Sequence, residues 1–142
     1  MILLDANILL RMTDSSDPNY KTALDAVFKA RTATKLVIAH QSLYEFCAVA
    51  TRAKSANGLD MDRPRMSRWI SRYRQLFDLL PEPPSLLDHW LALIATYSVT
   101  GFQVHDARYV ALMQCHRLTD FMTYNTRHFA KYPISLIDPH TF

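Results

Sequence analysis

Short runs of strand type, the first two wholly apolar, alternate along this chain with longer segments of helical period, and most of the runs stop at or just before a polar residue. The runs are Ile2-Leu3-Leu4, Leu36-Val37-Ile38-Ala39, Phe77 to Leu80, Phe121 to Tyr124 and Ile134 to Ile137. Between them the spacing of apolar residues predicts helices over Tyr20 to Lys29, Gln41 to Lys54, Arg63 to Gln75, Ser85 to Tyr97 and Asp106 to His116. Strands alternating with helices imply an α/β fold: a three-layer α/β/α sandwich around a central, mainly parallel sheet. A chain of 142 residues suits one domain, residues 1–142, with ample core. No internal repeat or linker interrupts it, and Pro81-Glu82-Pro83-Pro84 is too short a joint to divide domains.

Local signals set the expected boundaries. Asp5-Ala6-Asn7 reads as a turn into Ile8-Leu9-Leu10-Arg11, and Thr13 to Asn19 as a polar loop. Gly58 is the expected stop of the Gln41 helix. Pro64 suits a first helical turn, and Ser85 is the expected cap of its helix, with Asp88 three residues on. Asp106 is expected to open a helix at a strand-to-helix corner after Val104, and Arg127-His128-Phe129 to form a short turn.

Composition removes several classes. Two glycines, Gly58 and Gly101, leave no glycine-rich loop, so a P-loop and a dinucleotide fingerprint are both excluded. There is no GxSxG elbow and no HExxH spacing. Cys47 and Cys115 are far apart and form no CxxC, which points to reduced thiols and a cytoplasmic protein. The N-terminus has no basic segment before its apolar run, and Trp90 to Val99 is too short to cross a bilayer, so no membrane is expected. A net charge of +3 permits an anionic partner without requiring one.

Chemistry must therefore come from side chains. In an open parallel sheet, functional groups gather beyond the carboxyl ends of the strands. Asp5 ends the first strand, Glu45 follows the second, Asp106 begins a late helix, and Asn125 closes the run Phe121 to Tyr124. Three carboxylates at one rim repel one another unless a cation joins them, and oxygen ligands suit a hard divalent ion. Each residue also has a plainer role open to it. Asp5 and Asp106 suit helix caps, and Glu45 an ion pair with Arg52 or Lys54. Glu45 is the more telling, because it stands in the apolar stretch Leu43-Tyr44-Glu45-Phe46-Cys47. Arg65, Arg68 and Arg72 recur on one helical face, either solvated or in contact with phosphates or an acidic partner.

Four segments resemble those of PIN-domain ribonucleases, in order and over nearly the whole chain. They are Asp5-Ala6-Asn7-Ile8-Leu9-Leu10, His40-Gln41-Ser42-Leu43-Tyr44-Glu45-Phe46, Val104-His105-Asp106-Ala107, and Thr123-Tyr124-Asn125-Thr126-Arg127-His128-Phe129. The size is similar to that of the VapC-type toxins of toxin–antitoxin pairs. The resemblance implies an endoribonuclease dependent on Mg²⁺ or Mn²⁺. Asp5, Glu45 and Asp106 would hold the metal, Asn125 would complete the catalytic set, and the products would carry 5′-phosphate and 3′-hydroxyl ends. Asn7, Thr123, Arg127 and His128 would position ligands or substrate, while Arg65, Arg68 and Arg72 would meet RNA or a cognate antitoxin. A homodimer is also implied. The chain departs from the family at Asn125, where a fourth acid is common, and at His128, where many relatives carry an acid. Asp120 is a substitute ligand only if it reaches the same rim. Two other readings stand beside the nuclease: a PIN-fold RNA-binding or scaffold module without turnover, and a phosphatase-like α/β hydrolase. The latter lacks the expected Asp-x-Asp.

Overall fold

The computed structural model describes residues 1–142. Five short strands form one parallel sheet: β1 (Ile2–Leu4), β2 (Leu36–Ile38), β3 (Asp78–Leu79), β4 (Asp120–Met122) and β5 (Ser135–Ile137). Their order across the sheet is β3-β2-β1-β4-β5. The helices are α1 (Ala6–Arg11), α2 (Tyr20–Ala33), α3 (His40–Thr51), α4 (Arg63–Leu76), α5 (Leu86–Tyr97), α6 (Gln103–Cys115) and α7 (Thr126–Phe129).

Unbroken apolar strands follow from burial on both faces. Successive strand side chains point to opposite sides. Ile2, Leu4, Leu36, Ile38 and Met122 accordingly enter one core with residues of α1 to α4. Leu3, Val37 and Phe121 enter a second core with residues of α5, α6 and α7. A run that is apolar at every position is thus required by two helical layers rather than one. The strand order also fixes the site. β1 pairs with β2 on one side and β4 on the other, both in parallel. Its carboxyl end is the switch point of the topology, where the connections leave in opposite directions and a crevice opens.

Several boundaries differ from expectation. Asp5-Ala6-Asn7 is no separate turn, because α1 starts directly at Ala6 with Asp5 as its extended N-cap residue. α3 ends at Thr51, before Gly58, as Arg52 turns to an extended conformation. Its last carbonyls are met instead by Leu59 and Met61, whose amides bond to Val49 and Ala50. Gly58 is needed for space: a Cβ there would stand 1.9 Å from the Arg52 carbonyl oxygen. Ser85 precedes α5 but its side chain caps nothing, and that helix ends at Ser98 in the left-handed region. Asp106 does not open α6. The helix begins at Gln103 after a turn containing Gly101, so no strand precedes it and Asp106 lies inside the first turns. Residues 126–129 form a short helix rather than a turn.

One buried polar contact ties α4 to α1. The hydroxyls of Tyr73 and Thr13 both donate to the Leu9 carbonyl oxygen, at 2.6 Å and 2.7 Å. Tyr73 is fully enclosed and stacks with Trp69 and Phe77. Tyr73→Phe removes one buried hydrogen bond without changing shape, and a loss of about 1–2 kcal/mol is expected. It should appear as a lower urea midpoint with an unchanged slope.

Candidate active site

Asp5 leaves the central strand at its carboxyl end and is buried, with 6% exposure. Its backbone amide continues the sheet by donating to the Met122 carbonyl. The carboxylate is fixed through one oxygen. Oδ2 accepts from the Thr123 hydroxyl at 2.5 Å and from the Asn7 side-chain amide at 2.8 Å. The same Thr123 oxygen accepts from Asn7 Nδ2 at 3.1 Å and from the Asn125 backbone amide at 3.0 Å. Asn7 Oδ1 in turn receives the Tyr124 amide. Thr123 is therefore the node that joins β1 to the chain leaving β4. Asp5 Oδ1 accepts from no side chain, and the Asn7 backbone amide also bears on the carboxyl group.

Glu45 sits on α3, half-buried, with both oxygens engaged. Oε1 accepts from Gln41 Nε2 at 2.7 Å and Oε2 from the Tyr109 hydroxyl at 3.2 Å. It makes no ion pair with Arg52 or Lys54. Gln41 also donates to the His105 carbonyl, and its own oxygen receives Arg108, which pairs with Glu82 at 2.8 Å. Asp106, half-buried on α6, meets His128 Nδ1 at 3.3 Å.

Electrostatics bind the acids into one group. Burial pushes Asp5 up to about 7, and the charges of Glu45 and Asp106 raise it further against the hydrogen bonds of Thr123 and Asn7. Glu45 is raised by burial and by Asp106, with Gln41 and Tyr109 opposing. Asp106 is raised by burial while His128 pulls it back. Three acids held above their ordinary range by burial, with Asp5 and Glu45 raised also by the charge of Asp106, form a site that favours positive charge. The donors are all hard oxygens, one of which, Asp5 Oδ1, accepts from no side chain, and this fits a hard divalent cation. As placed, no three acid, histidine or cysteine side chains surround a common point.

The remaining candidates divide. Asn7, Thr123 and His128 contact the acids directly. Asn125 reaches them only through its backbone amide, since its exposed side chain makes no hydrogen bond. Arg127 is exposed and no polar contact ties it to the acids. Arg65, Arg68 and Arg72 lie apart on the exposed face of α4. Asp120 begins β4, at the opposite end of the strand from Thr123, so it cannot substitute for a rim acid. Sequence reasoning assigned no role to Gln41, Tyr109 or Arg108. Their signal was spacing: Gln41 precedes Glu45 by four residues and Tyr109 follows Asp106 by three, each on one helical face.

Thr123→Val removes the hydroxyl and keeps the shape. It strands the Asn125 amide and takes a donor from Asp5, so a cost of about 1–3 kcal/mol is expected. The penalty should be larger at pH 8 than at pH 5, because the lost bond favours the ionised acid. Thr123→Ser should restore most of it, as read by urea midpoints at both pH values.

A parallel α/β/α sheet with a buried aspartate at its switch point and two more acids beside it defines a class before any comparison is made. The chain matches the PIN domain family over residues 2–134 and belongs to it. Solved structures with the same fold include VapBC-1 from nontypeable Haemophilus influenzae, at TM-score 0.73, 14% identity and coverage of 99% of each chain. VapBC2 from Rickettsia felis, bound to a DNA fragment from its promoter, superposes at TM-score 0.72 with 11% identity, covering 97% of this chain and 98% of that one. Mycobacterium tuberculosis VapC20, described as a sarcin-ricin loop cleaving toxin, superposes at 0.69 with 9% identity, over 95% and 99%. No curated protein matches by sequence. No helix is long and apolar enough to cross a membrane.

Proposed function

We propose that this PIN-domain protein is a metal-dependent endoribonuclease and the toxin of a toxin–antitoxin pair. The observation that carries the reading is the group of three acids, Asp5, Glu45 and Asp106, drawn from distant segments to the crevice at the switch point. Likeness in fold to toxins of VapBC complexes, one described as cleaving the sarcin-ricin loop, supports the class of substrate and an antitoxin partner.

Asp5, Glu45 and Asp106 would hold Mg²⁺ or Mn²⁺, with Asp5 Oδ1 the oxygen that accepts from no side chain. When bound, the ion would activate water and neutralise charge on the phosphodiester. Thr123 and Asn7 hold Asp5 by Oδ2 and so leave its other oxygen without a side-chain donor. Gln41 and Tyr109 orient Glu45, and His128 keeps a proton donor on Asp106. Unpaired RNA loops suit such a crevice better than A-form helix, whose deep groove hides the bases. Asn125 in this reading contributes its backbone amide to Thr123. A homodimer in the cytoplasm, restrained by its antitoxin, completes the proposal.

A second reading, an RNA-binding module without turnover, draws on the lack of a ready three-acid cage and on Asn125 in place of a fourth acid. One experiment separates the two. Purified protein is incubated with structured RNA and Mn²⁺, with or without chelator, beside Asp5→Asn. The nuclease reading expects cuts at few positions, absent with chelator and in the variant. Binding without cuts supports the module, and equal cutting by the variant refutes the assignment of Asp5.

A further inference from the structure

The basic character of this protein is concentrated on one helix. α4 carries Arg63, Arg65, Arg68, Arg72 and Arg74 and no acidic residue. The whole chain bears a net charge of +3, so everything outside α4 is net negative by two. All five arginines are exposed, and none takes part in any of the ion pairs of the chain. Asp14 feels the charge of Arg65, and Asp62 caps the helix by accepting from the Arg65 backbone amide.

The chemistry along this face is specific. Arg65, Arg68, Trp69 and Arg72 line a surface recess of about 320 Å³. A second, shallow recess beside it is lined by the polar residues Ser67, Arg68, Ser71, Arg72 and Gln75. The Arg72 guanidinium lies over the Trp69 ring at 5.4 Å, and that ring is stacked on Tyr73. Guanidiniums, hydroxyls and an amide are donors for phosphate oxygens, and a guanidinium–indole pair is a surface on which unpaired bases stack. The inner side of α4 packs on α3, where Cys47 Sγ touches Met66 Sδ at 3.3 Å, and this leaves the arginine face outward.

We infer that the outer face of α4 is a binding track for an unpaired RNA strand, with Arg65, Arg68 and Arg72 on phosphates and the Trp69–Arg72 pair under a base. The inference rests on the reading that the protein acts on RNA, and it adds where the strand lies outside the crevice.

The test separates the two. Binding is measured with a labelled oligouridine of roughly a dozen nucleotides, a length within the range of single-strand sites. Chelator is present throughout, so no cleavage is required. The chains compared are the intact protein, the triple variant Arg65→Gln, Arg68→Gln, Arg72→Gln, and the corresponding triple lysine variant. Loss of three phosphate contacts should lower the slope of log affinity against log salt by about 2. Affinity at low salt should fall on the order of a hundredfold, with the lysine variant retaining most of it. Thermal melts identify any variant that is not folded, and for such a chain the three single substitutions replace it, each lowering the slope by roughly 0.7. Unchanged affinity and slope in the glutamine variants overturn the inference. So does polyglutamate binding the intact protein as tightly as the RNA does. Absence of cleavage with Mn²⁺, when binding behaves as expected, counts against the nuclease reading alone.

Discussion

Asp5→Asn makes the metal-free protein more stable at pH 8, by about 2–4 kcal/mol. The sign follows from linkage. Asp5 titrates at an ordinary carboxylate value near 3.8 when unfolded and at about 7 when folded. The folded state therefore holds its proton more tightly, and stability is greatest at low pH with respect to this group. It declines as pH rises from about 4 to about 7 and is then level. A shift of that size, at about 1.4 kcal/mol per unit, sets the upper end of the range. The asparagine carbonyl accepts the same bonds from Thr123 and Asn7, while its amide occupies the Oδ1 position. Burial of Glu45 and Asp106 raises both acids and adds in the same direction. Denaturation midpoints at pH 5 and pH 8 check this: the gain should be smaller by roughly two-thirds at pH 5, where only the first part of the decline has occurred. Mn²⁺ should stabilise the parent protein at pH 8 and leave the variant unmoved, since only a chain that binds the ion is stabilised by it. A variant less stable than the parent at pH 8 would mean that the ionised acid is not a source of strain.

The same substitution should lower RNA cleavage on the order of a thousandfold. A metal that activates water and offsets phosphodiester charge contributes several kcal/mol, and about 4 kcal/mol corresponds to that factor. Glu45→Gln and Asp106→Asn should each lose a large part of the rate. Combining either with Asp5→Asn should cost little more, because residues that act as a unit are not additive. Cleavage at limiting Mn²⁺ should also fall as pH drops below about 7, where a proton on Asp5 competes with the ion. Multiplicative losses in the double variants would show that the acids act separately.

In the proposed reading the acids at this crevice oppose folding and serve binding, and the same physics explains which parts of the candidate site were legible in the sequence. The strands were legible because burial on both faces leaves no polar residue within β1 or β2. Asp5 stood out as the first charge after such a run. Glu45 stood out as an acid in an apolar helix. Asp106 was found for a partly mistaken reason: it lies within α6 rather than at its cap, and no strand precedes it. Gln41 and Tyr109 were missed because neither residue is unusual in its local sequence. Gln41 is a partner of Glu45 within α3, but its bond to the His105 carbonyl and that of Tyr109 to Glu45 arise only when α3 and α6 come within hydrogen-bond reach. Asn125 was placed in the catalytic set by its position in a motif, yet the contact it makes with this group is through its backbone amide, which no side-chain pattern reveals.

Local pattern alone determined the layered α/β architecture, the carboxyl-end location of Asp5 and the arginine face of α4. Period and polarity are properties of neighbouring residues, and they survive without knowledge of distant contacts. Tertiary structure decided the rest: that Thr123 locks Asp5 by one oxygen, that Glu45 lies near enough to feel the charge of Asp106, and that Asp120 falls at the wrong end of its strand. Those facts depend on strand order and on separations of a few ångströms between residues far apart in the chain, where Coulomb and hydrogen-bond energies change steeply with distance.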